Sequence, residues 1–228
     1  MTDQQQDPNL ATIVHTSQGN YPVIVGRDVI DDLGLELQKT GQQGRAFIVA
    51  DEVMFSNPVR RAQEALERGG YETHVLAMEI GESSKNIATL EVVYSWLADR
   101  RAERGDVVVA MGGGVTGDLV GFVAATWLRG VSVVQVPTSL TAMVDSSIGG
   151  KTGVNLPQGK NLLGAFHQPK LVVQDIVHLE TLPPREMAAG WAEAVKHGLP
   201  CLPRSGPRRQ SQRGVPGEVL SPSSGGSA

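Results

Sequence analysis

The chain has 228 residues, of which 40% are hydrophobic, and its formal net charge is −4. That hydrophobic content is enough for one or two packed domains, while the slightly acidic balance argues against nucleic acid or an anionic membrane as a partner. A single cysteine, Cys201, excludes an internal disulfide framework, and no apolar run reaches the roughly 18 residues of a membrane-spanning helix. The polar opening MTDQQQDPNL also lacks the apolar core of a signal peptide, so we predict a cytoplasmic protein.

The order of apolar runs and helical patterns predicts the fold. After a polar segment over 1–10, which we predict to be a disordered leader, apolar runs over 11–16 and 21–25 flank a turn and predict a β-hairpin. Further apolar runs alternate with helical spacing: predicted strands cover 46–50, 73–78, 107–110, 131–136 and 171–175, and predicted helices cover 57–68, 86–104, 118–129 and 184–199. This alternation is typical of an α/β, Rossmann-like sheet that is mostly parallel and has helices on both faces.

Two segments do not follow this alternation. Residues 145–170 have neither helical nor strand periodicity, and we predict an ordered functional loop region there. From Pro200 onwards the chain is dense in Pro, Arg, Ser and Gly, so we predict that residues 200–228 are disordered. In the last predicted helix, the residues expected to form the buried face are Met187, Trp191, Ala194 and Val195.

A glycine-rich segment separates the predicted strand over 107–110 from the helix over 118–129. Its Gly112-x-Gly114-x-x-Gly117 pattern matches the dinucleotide-binding fingerprint, in which bare backbone and a helix N-terminus accept a pyrophosphate. The alternative is a tight turn without a ligand. The acidic residue that usually follows about 20 positions later, where it binds the ribose, is missing. Asp51 and Glu82, at the ends of earlier strands, are therefore the candidate ribose ligands, and a standard Rossmann dehydrogenase is not indicated.

Charged and amide side chains occur together in the predicted loop over 145–170. Lys151 and Lys160 each follow a glycine and have apolar neighbours, and Asn155 and Asn161 are close to them in the sequence. If the two ammonium groups are partly enclosed, they need an anion, and a substrate phosphate or carboxylate would serve. The alternative is that both lysines are ordinary solvated surface residues.

The predicted helix over 184–199 carries Glu193, Lys196 and His197 at spacings i, i+3 and i+4, which places them on one face. Such a face could combine a metal ligand with a lysine that binds substrate or transfers a proton. It could equally be an exposed face of salt-bridged side chains, and the spacing alone does not choose between the two.

Four longer blocks carry a resemblance to a known family. The segments GGGVTGDLVGF, QVPTSLTAMVDSSIGGKTGVN, GKNLLGAFHQP and LPPREMAAGWAEAVKHG resemble the 3-dehydroquinate synthase family, and the resemblance runs from about residue 11 to Gly198. It implies a homodimeric lyase of the shikimate pathway, which leads to chorismate and the aromatic amino acids. Such an enzyme uses NAD and a divalent zinc or cobalt ion. It converts 3-deoxy-arabino-heptulosonate 7-phosphate to 3-dehydroquinate and phosphate.

The resemblance also implies roles for individual residues. Substrate contacts fall on Asp145, Lys151, Asn161, Lys196 and Arg129, with Arg129 reaching the substrate of the neighbouring subunit. Glu193 matches the first metal ligand. The cofactor contacts fall on Asp51, Glu82, Lys85, Gly114, Val115, Thr116, Gly117, Asp118, Thr138, Ser139, Lys151, Lys160, His178, Leu179, Glu180 and Thr181.

One departure from the family pattern concerns the metal. The family's other two ligands are histidines further along the chain, whereas the histidines here are His15, His74, His167, His178 and His197. Since a catalytic zinc site normally takes three protein ligands, this predicts an incomplete site in a truncated and inactive copy. The expected organisation is an NAD-binding domain over 11–180, the first helix of an all-α metal-binding domain over 181–199, and an out-of-frame tail over 200–228.

Three other interpretations stay open. The chain could belong to another sugar-phosphate cyclase or to a metal-dependent polyol dehydrogenase of the same superfamily. It could also be a non-catalytic nucleotide-binding module, which the histidine pattern favours.

Overall fold

The computed structural model describes residues 8–54, 57–79 and 81–199. The predicted tail over 200–228 and residues 1–7 of the predicted leader lie outside the described residues, while Leu10 begins the first strand. The strands are β1 (Leu10–Thr16), β2 (Gly19–Gly26), β3 (Ala46–Asp51), β4 (Thr73–Met78), β5 (Val107–Gly112), β6 (Ser132–Pro137), β7 (Lys151–Leu156), β8 (Gly159–Phe166) and β9 (Leu171–Asp175). The α-helices are α1 (Leu33–Lys39), α2 (Pro58–Arg68), α3 (Ile87–Asp99), α4 (Gly114–Thr126) and α5 (Pro184–Gly198).

Seven of the strands form one sheet, in the order β1-β2-β9-β6-β5-β3-β4. The strands from β2 to β4 in this order are parallel to their neighbours, and only β1 is antiparallel, because it is joined to β2 in a hairpin. The predicted α/β, Rossmann-like sheet with an N-terminal hairpin is therefore confirmed. Among the described residues, no helix combines the length and apolarity needed to cross a membrane.

The core consists of two apolar layers, one on each face of the sheet. Alternate residues of each strand point to opposite faces. On β5, Val107 and Val109 pack in the layer that includes α1 and α2, whereas Val108 and Ala110 pack in the layer that includes α3 and α4. Since both faces are covered, the central strands are apolar throughout, which is why their sequences show no alternation.

Sequence periodicity predicted most helices, but several boundaries were wrong. Helix α4 begins at Gly114 rather than at residue 118, so glycines of the motif lie in its first turn, where low helix propensity hid them. Helix α3 ends at Asp99 rather than at residue 104, because Arg101 takes a left-handed backbone conformation with φ of 51°. Helix α1 was not predicted.

The prediction of a loop over residues 145–170 was also wrong. Residues Ala142–Ser146 form a π-helical turn, and β7 and β8 pair as a separate antiparallel hairpin. The hairpin has no alternating pattern because most residues of β8 are at least partly exposed and because glycines fill its centre. At Gly164, an added Cβ would lie 2.1 Å from the Thr152 carbonyl oxygen, so the two strands require glycine there.

The predicted buried face of α5 is not buried. Gly190 is the buried residue of this helix, and it packs directly on Leu140, whose Cβ would lie 2.4 Å from a Cβ added at Gly190. Trp191 and Val195 are 61% and 57% exposed. Met187 and Ala194 are half-buried, so the apolar stripe that helical spacing assigned to the core lies largely at the surface in the described part of the chain, and the small residue Gly190 makes the packed contact instead.

Candidate functional site

The sheet has a topological switch point between β3 and β5. From β3 the chain moves to the edge strand β4, and it then returns to β5 on the other side of β3. In open α/β sheets, ligands bind in the crevice that such a reversal leaves at the carboxyl ends of the strands. Here that edge carries Asp51 at the end of β3 and Gly112–Gly114 after β5.

The glycines of the motif have two different reasons to lack a side chain. A Cβ added at Gly112 would lie 2.3 Å from Thr116 Oγ1, and one added at Gly117 would lie 2.8 Å from Gln135 Oε1. Packing against neighbouring side chains therefore disfavours a side chain at these two glycines. By contrast, a Cβ at Gly113 would meet only Ser139 Oγ, at 3.7 Å, which is an ordinary contact.

The start of α4 fits a phosphate group. No side chain caps this helix, so the backbone N–H groups of its first turn remain available to an anion. Beside it, the buried hydroxyl Ser146 Oγ has no hydrogen-bond partner among the described residues and would lie 2.9 Å from a Cβ added at Gly114. Sequence patterns do not point to Ser146, because this residue reaches α4 only through the π-helical turn.

Lys85 and Asp118 form a buried ion pair next to this helix terminus. Lys85 is 4% exposed, and its ammonium group donates to the Asp118 carboxylate and, at 2.7 Å, to Asn161 Oδ1. Burial raises the pKa of the Asp118 carboxyl, and the Lys85 ammonium opposes this shift. Residues from the segment after β4, from α4 and from β8 therefore meet at one point.

The β7–β8 hairpin is tied to the same region by a second polar cluster. Lys160 Nζ lies 2.9 Å from Glu82 Oε1, which also accepts a hydrogen bond from Asn155 Nδ2 at 3.0 Å. The Lys160 ammonium holds the pKa of the Glu82 carboxyl below its usual range. Asn155 Oδ1 in turn accepts from the backbone N–H of Asn161, whose φ is 55°. These contacts orient the side-chain amide of Asn161, whose oxygen accepts the hydrogen bond from Lys85.

Of the two interpretations of Lys151 and Lys160, the structure favours that of solvated surface residues. Their side chains are 59% and 74% exposed, and each is paired with a carboxylate of the protein, Asp145 and Glu82 respectively. Exposed ammonium groups of this kind do not require a bound anion, although they leave positive charge beside the crevice.

A third cluster joins α5 to the π-helical turn. Glu193, Lys196 and His197 lie on one face of α5, and Lys196 pairs with Glu193. His197 Nε2 lies 3.5 Å from Asp145 Oδ1 and 3.9 Å from Glu193 Oε2. The Glu193 carboxylate raises the pKa of Lys196. The packing of Gly190 on Leu140 sets this arrangement, because it fixes α5 against the residues that precede Asp145.

One cavity borders the Lys85–Asp118 pair, through Asp118, and the third cluster, through Asp145. Its volume is about 480 Å³, which is within the range of small-molecule sites. The residues that line it are Asp118, Asp145, Ser146, Lys151, Thr152, Gly153, Asn161, Leu162, Gly164, Ala165 and Phe166. Four of the five residues expected to bind substrate lie in its wall or, as Lys196, in the cluster around Asp145.

The structure leaves Arg129 away from this cavity. Helix α4 runs for 13 residues, about 20 Å, from the site to the opposite edge of the sheet. Arg129 is exposed at that far end, with φ of 71°. Within one chain, it does not reach the crevice.

The stretch from His178 to Thr181 follows β9 and forms a 3₁₀ helix. Its position depends on Asp175, whose carboxylate is fully buried and accepts hydrogen bonds from the backbone N–H groups of Asp28, Ile30 and Val177. Glu180 points to the surface and pairs with Arg27 at 2.7 Å. Of this stretch, His178 is the buried residue, with 6% exposure.

Burial lowers the pKa of His178, because desolvation disfavours the charged imidazole. The unfolded chain therefore takes up a proton before the folded protein does. We expect the free energy of unfolding to decrease as the pH falls below about 6.5, the ordinary value of histidine. Urea unfolding at pH 7.5 and at pH 5.5 measures this loss. His178→Gln is expected to reduce the difference, and His15→Gln, at an exposed position, to leave it unchanged; equal differences in all three proteins would contradict the prediction.

Comparison with known proteins gives one consistent family. A family model described as 3-dehydroquinate synthase N-terminal matches residues 75–189, about half of the chain. A 3-dehydroquinate synthase from Prochlorococcus marinus is 45% identical over 188 residues, which cover 82% of this chain and 51% of that protein. The chain thus spans about half the length of the relatives it matches.

Solved structures of related cyclases have the same fold. A 2-deoxy-scyllo-inosose synthase complexed with carbaglucose-6-phosphate, NAD⁺ and Co²⁺ is 29% identical, with a TM-score of 0.74 over 81% of this chain and 51% of that one. A 2-epi-5-epi-valiolone synthase from Streptomyces hygroscopicus subsp. jinggangensis 5008, with NAD⁺ and Zn²⁺ bound, is 31% identical, with a TM-score of 0.70 over 82% and 51%.

Proposed function

This chain belongs to the 3-dehydroquinate synthase family, and we propose that it provides the NAD-binding and substrate-facing part of an enzyme that converts 3-deoxy-arabino-heptulosonate 7-phosphate to 3-dehydroquinate and phosphate. The observation that carries the proposal is that one cavity is lined by Asp118 of the Lys85 ion pair, by Ser146 beside the uncapped start of α4 and by Asp145, which lies next to Glu193 and Lys196. A sugar phosphate, a dinucleotide and a divalent ion would need these three groups side by side.

The cofactor would be held at the switch point of the sheet. The N–H groups at the start of α4 would bind the pyrophosphate of NAD. Gly113 has no close neighbour on the side where a Cβ would lie, so the pyrophosphate could approach the backbone there. Asp51 at the end of β3 and Glu82 beside β7 offer carboxylates to the ribose hydroxyls. When bound, NAD would supply reversible hydride transfer at a ring carbon that bears a hydroxyl, and a divalent ion would polarise the oxygen of that hydroxyl.

The chain's own residues would bind and orient the sugar phosphate. Lys151 and Lys196 can exchange their protein carboxylates for anionic groups of the substrate, since both are exposed and lie around Asp145. Asn161 is held by Lys85 and can present its amide to a substrate hydroxyl. Asp145 lies between Lys151 and His197 and can accept a proton or a hydrogen bond from the substrate.

We also propose a cytoplasmic homodimer. The support is Arg129, which the family resemblance assigns to the substrate but which lies at the far end of α4 from its own cavity. A second copy could bring this guanidinium to the crevice of the first.

The test is a calorimetric titration of the chain, with NAD and Co²⁺ present, against three compounds. We expect 3-deoxy-arabino-heptulosonate 7-phosphate to bind at least about tenfold more tightly than glucose 6-phosphate or glycerol, a difference of about 1.4 kcal/mol. We expect no phosphate release, because Leu162 and Phe166 of the cavity wall are 60% and 73% exposed and the site does not exclude water.

Each alternative outcome would replace the proposal by another. Preference for glucose 6-phosphate would indicate a different sugar-phosphate cyclase, and preference for glycerol a polyol dehydrogenase. Binding of NAD without any sugar phosphate would indicate a nucleotide-binding module. Steady phosphate release would contradict the expected inactivity of this chain.

A further inference from the structure

The third cluster contains more metal donors than the family resemblance assigns. Asp145, Glu193 and His197 each offer one ligand atom, and these atoms all lie within 4.8 Å of one another. The resemblance names only Glu193 as a ligand. The other two donors become its neighbours because α5 packs on the π-helical turn through Gly190.

The spacing of these atoms suits one coordination sphere. Two ligands at the usual 2.0–2.2 Å from a tetrahedral zinc ion are roughly 3.4 Å apart. His197 Nε2 lies 3.5 Å from Asp145 Oδ1 and 3.9 Å from Glu193 Oε2, and all three ligand atoms lie within 4.8 Å of one another, so side-chain rotations would bring them to the spacing of one coordination sphere. Two carboxylates and an imidazole are a donor set that divalent zinc, cobalt or manganese accepts.

We propose that Asp145, Glu193 and His197 form a three-donor site for a divalent transition-metal ion within this chain. Glu193 and His197 supply neighbouring donors from one helix face, at i and i+4. Asp145 supplies the third from the turn and also lines the cavity, so an ion held by these donors would border the space proposed for substrate. The site would hold the divalent ion that the proposed function needs, and its biological role rests on that function.

Two lysines form ion pairs with these carboxylates when no metal is bound. Lys196 pairs with Glu193, and Lys151 lies 3.4 Å from Asp145. A divalent ion would displace both ammonium groups from the donors and leave them beside the cavity, where they can bind an anion. Metal binding and the Lys196–Glu193 ion pair therefore compete, and removing Lys196 is expected to strengthen metal binding.

The experiment is a titration of the untagged chain with Co²⁺ and with Zn²⁺, in the absence of NAD and substrate. Calorimetry and the visible absorption of bound Co²⁺ provide two readouts. We expect one ion per chain, and we expect His197→Gln, Asp145→Asn and Glu193→Gln each to weaken binding at least about tenfold, or about 1.4 kcal/mol. Lys196→Met is expected to bind the ion more tightly. His15→Gln, at an exposed position on β1, and Cys201→Ser are the controls and should bind as the parent chain does.

Because these donors are at least partly exposed, their substitution is not expected to disturb the core, and circular dichroism verifies the fold. Parent-like affinity in His197→Gln or Asp145→Asn, or no binding by the parent chain, would overturn the site. Failure of the metal site with intact NAD binding would leave the proposed function standing. Metal binding without NAD binding would contradict the proposed function and not the site.

Discussion

Replacing Gly114 with valine is expected to abolish NAD binding. A Cβ at this position would lie 2.9 Å from Ser146 Oγ, and the two methyl groups of valine would fill the space in front of the first turn of α4. The pyrophosphate would lose access to the N–H groups there. We expect the affinity measured by calorimetry to fall at least about a hundredfold, close to 2.7 kcal/mol. The reason is this occlusion and not a backbone requirement, since Gly114 does not have a positive φ.

A milder variant separates occlusion from misfolding. Gly113→Ala adds a Cβ whose nearest neighbour is 3.7 Å away, so the protein without NAD accommodates it. If the pyrophosphate approaches this backbone closely, the affinity still falls about tenfold or more, while thermal unfolding of the free protein stays unchanged. Gly105→Ala is the matched control, because its Cβ meets nothing within 4 Å and it precedes β5 at the opposite edge of the sheet. Unchanged NAD affinity in a folded Gly114→Val protein would remove the cofactor assignment.

Replacing Lys85 with methionine is expected to lower the free energy of unfolding by about 3 kcal/mol. The change leaves the Asp118 carboxylate without its buried ammonium partner, and breaking a buried ion pair costs about 3–5 kcal/mol. We expect a loss at the lower end of this range because the Asp118 side chain is 21% exposed. Urea unfolding measures the loss. The dependence of the unfolding free energy on urea concentration is compared between the variant and the parent chain.

The double variant Lys85→Met/Asp118→Asn tests the mechanism. Removing both charges takes away the unpaired carboxylate, so the double variant should be more stable than Lys85→Met alone. Arg60→Met is the control, since Arg60 pairs with Glu64 on the exposed face of α2 and such a pair contributes at most about 1 kcal/mol. A Lys85→Met protein as stable as this control would mean that the buried Lys85–Asp118 pair does not contribute to the stability of the fold.

The sheet was predictable because its signals are local. Strands buried on both faces need apolar residues throughout, so the Val and Ala residues of β3, β5 and β6 identify them directly. The start of α2 was equally local, with Pro58 in its first turn. The β7–β8 hairpin escaped prediction because most residues of β8 are exposed and because glycines interrupt both strands, so no period of two is visible.

The sequence by itself determined the α/β class, the position of the glycine-rich turn after β5 and the common face of Glu193, Lys196 and His197, since each of these follows from neighbours within a few residues. Tertiary structure decided that Gly117 serves packing and that Gly113 leaves room for a ligand, because Gln135 approaches Gly117 from β6 and no residue crowds Gly113. It also decided that Lys85 meets Asp118 and Asn161 and that Asp145 meets His197. Such pairs join residues more than 30 positions apart. The distance between their side chains is set by the packing of the helices and the hairpin on the sheet, and no local sequence pattern specifies it.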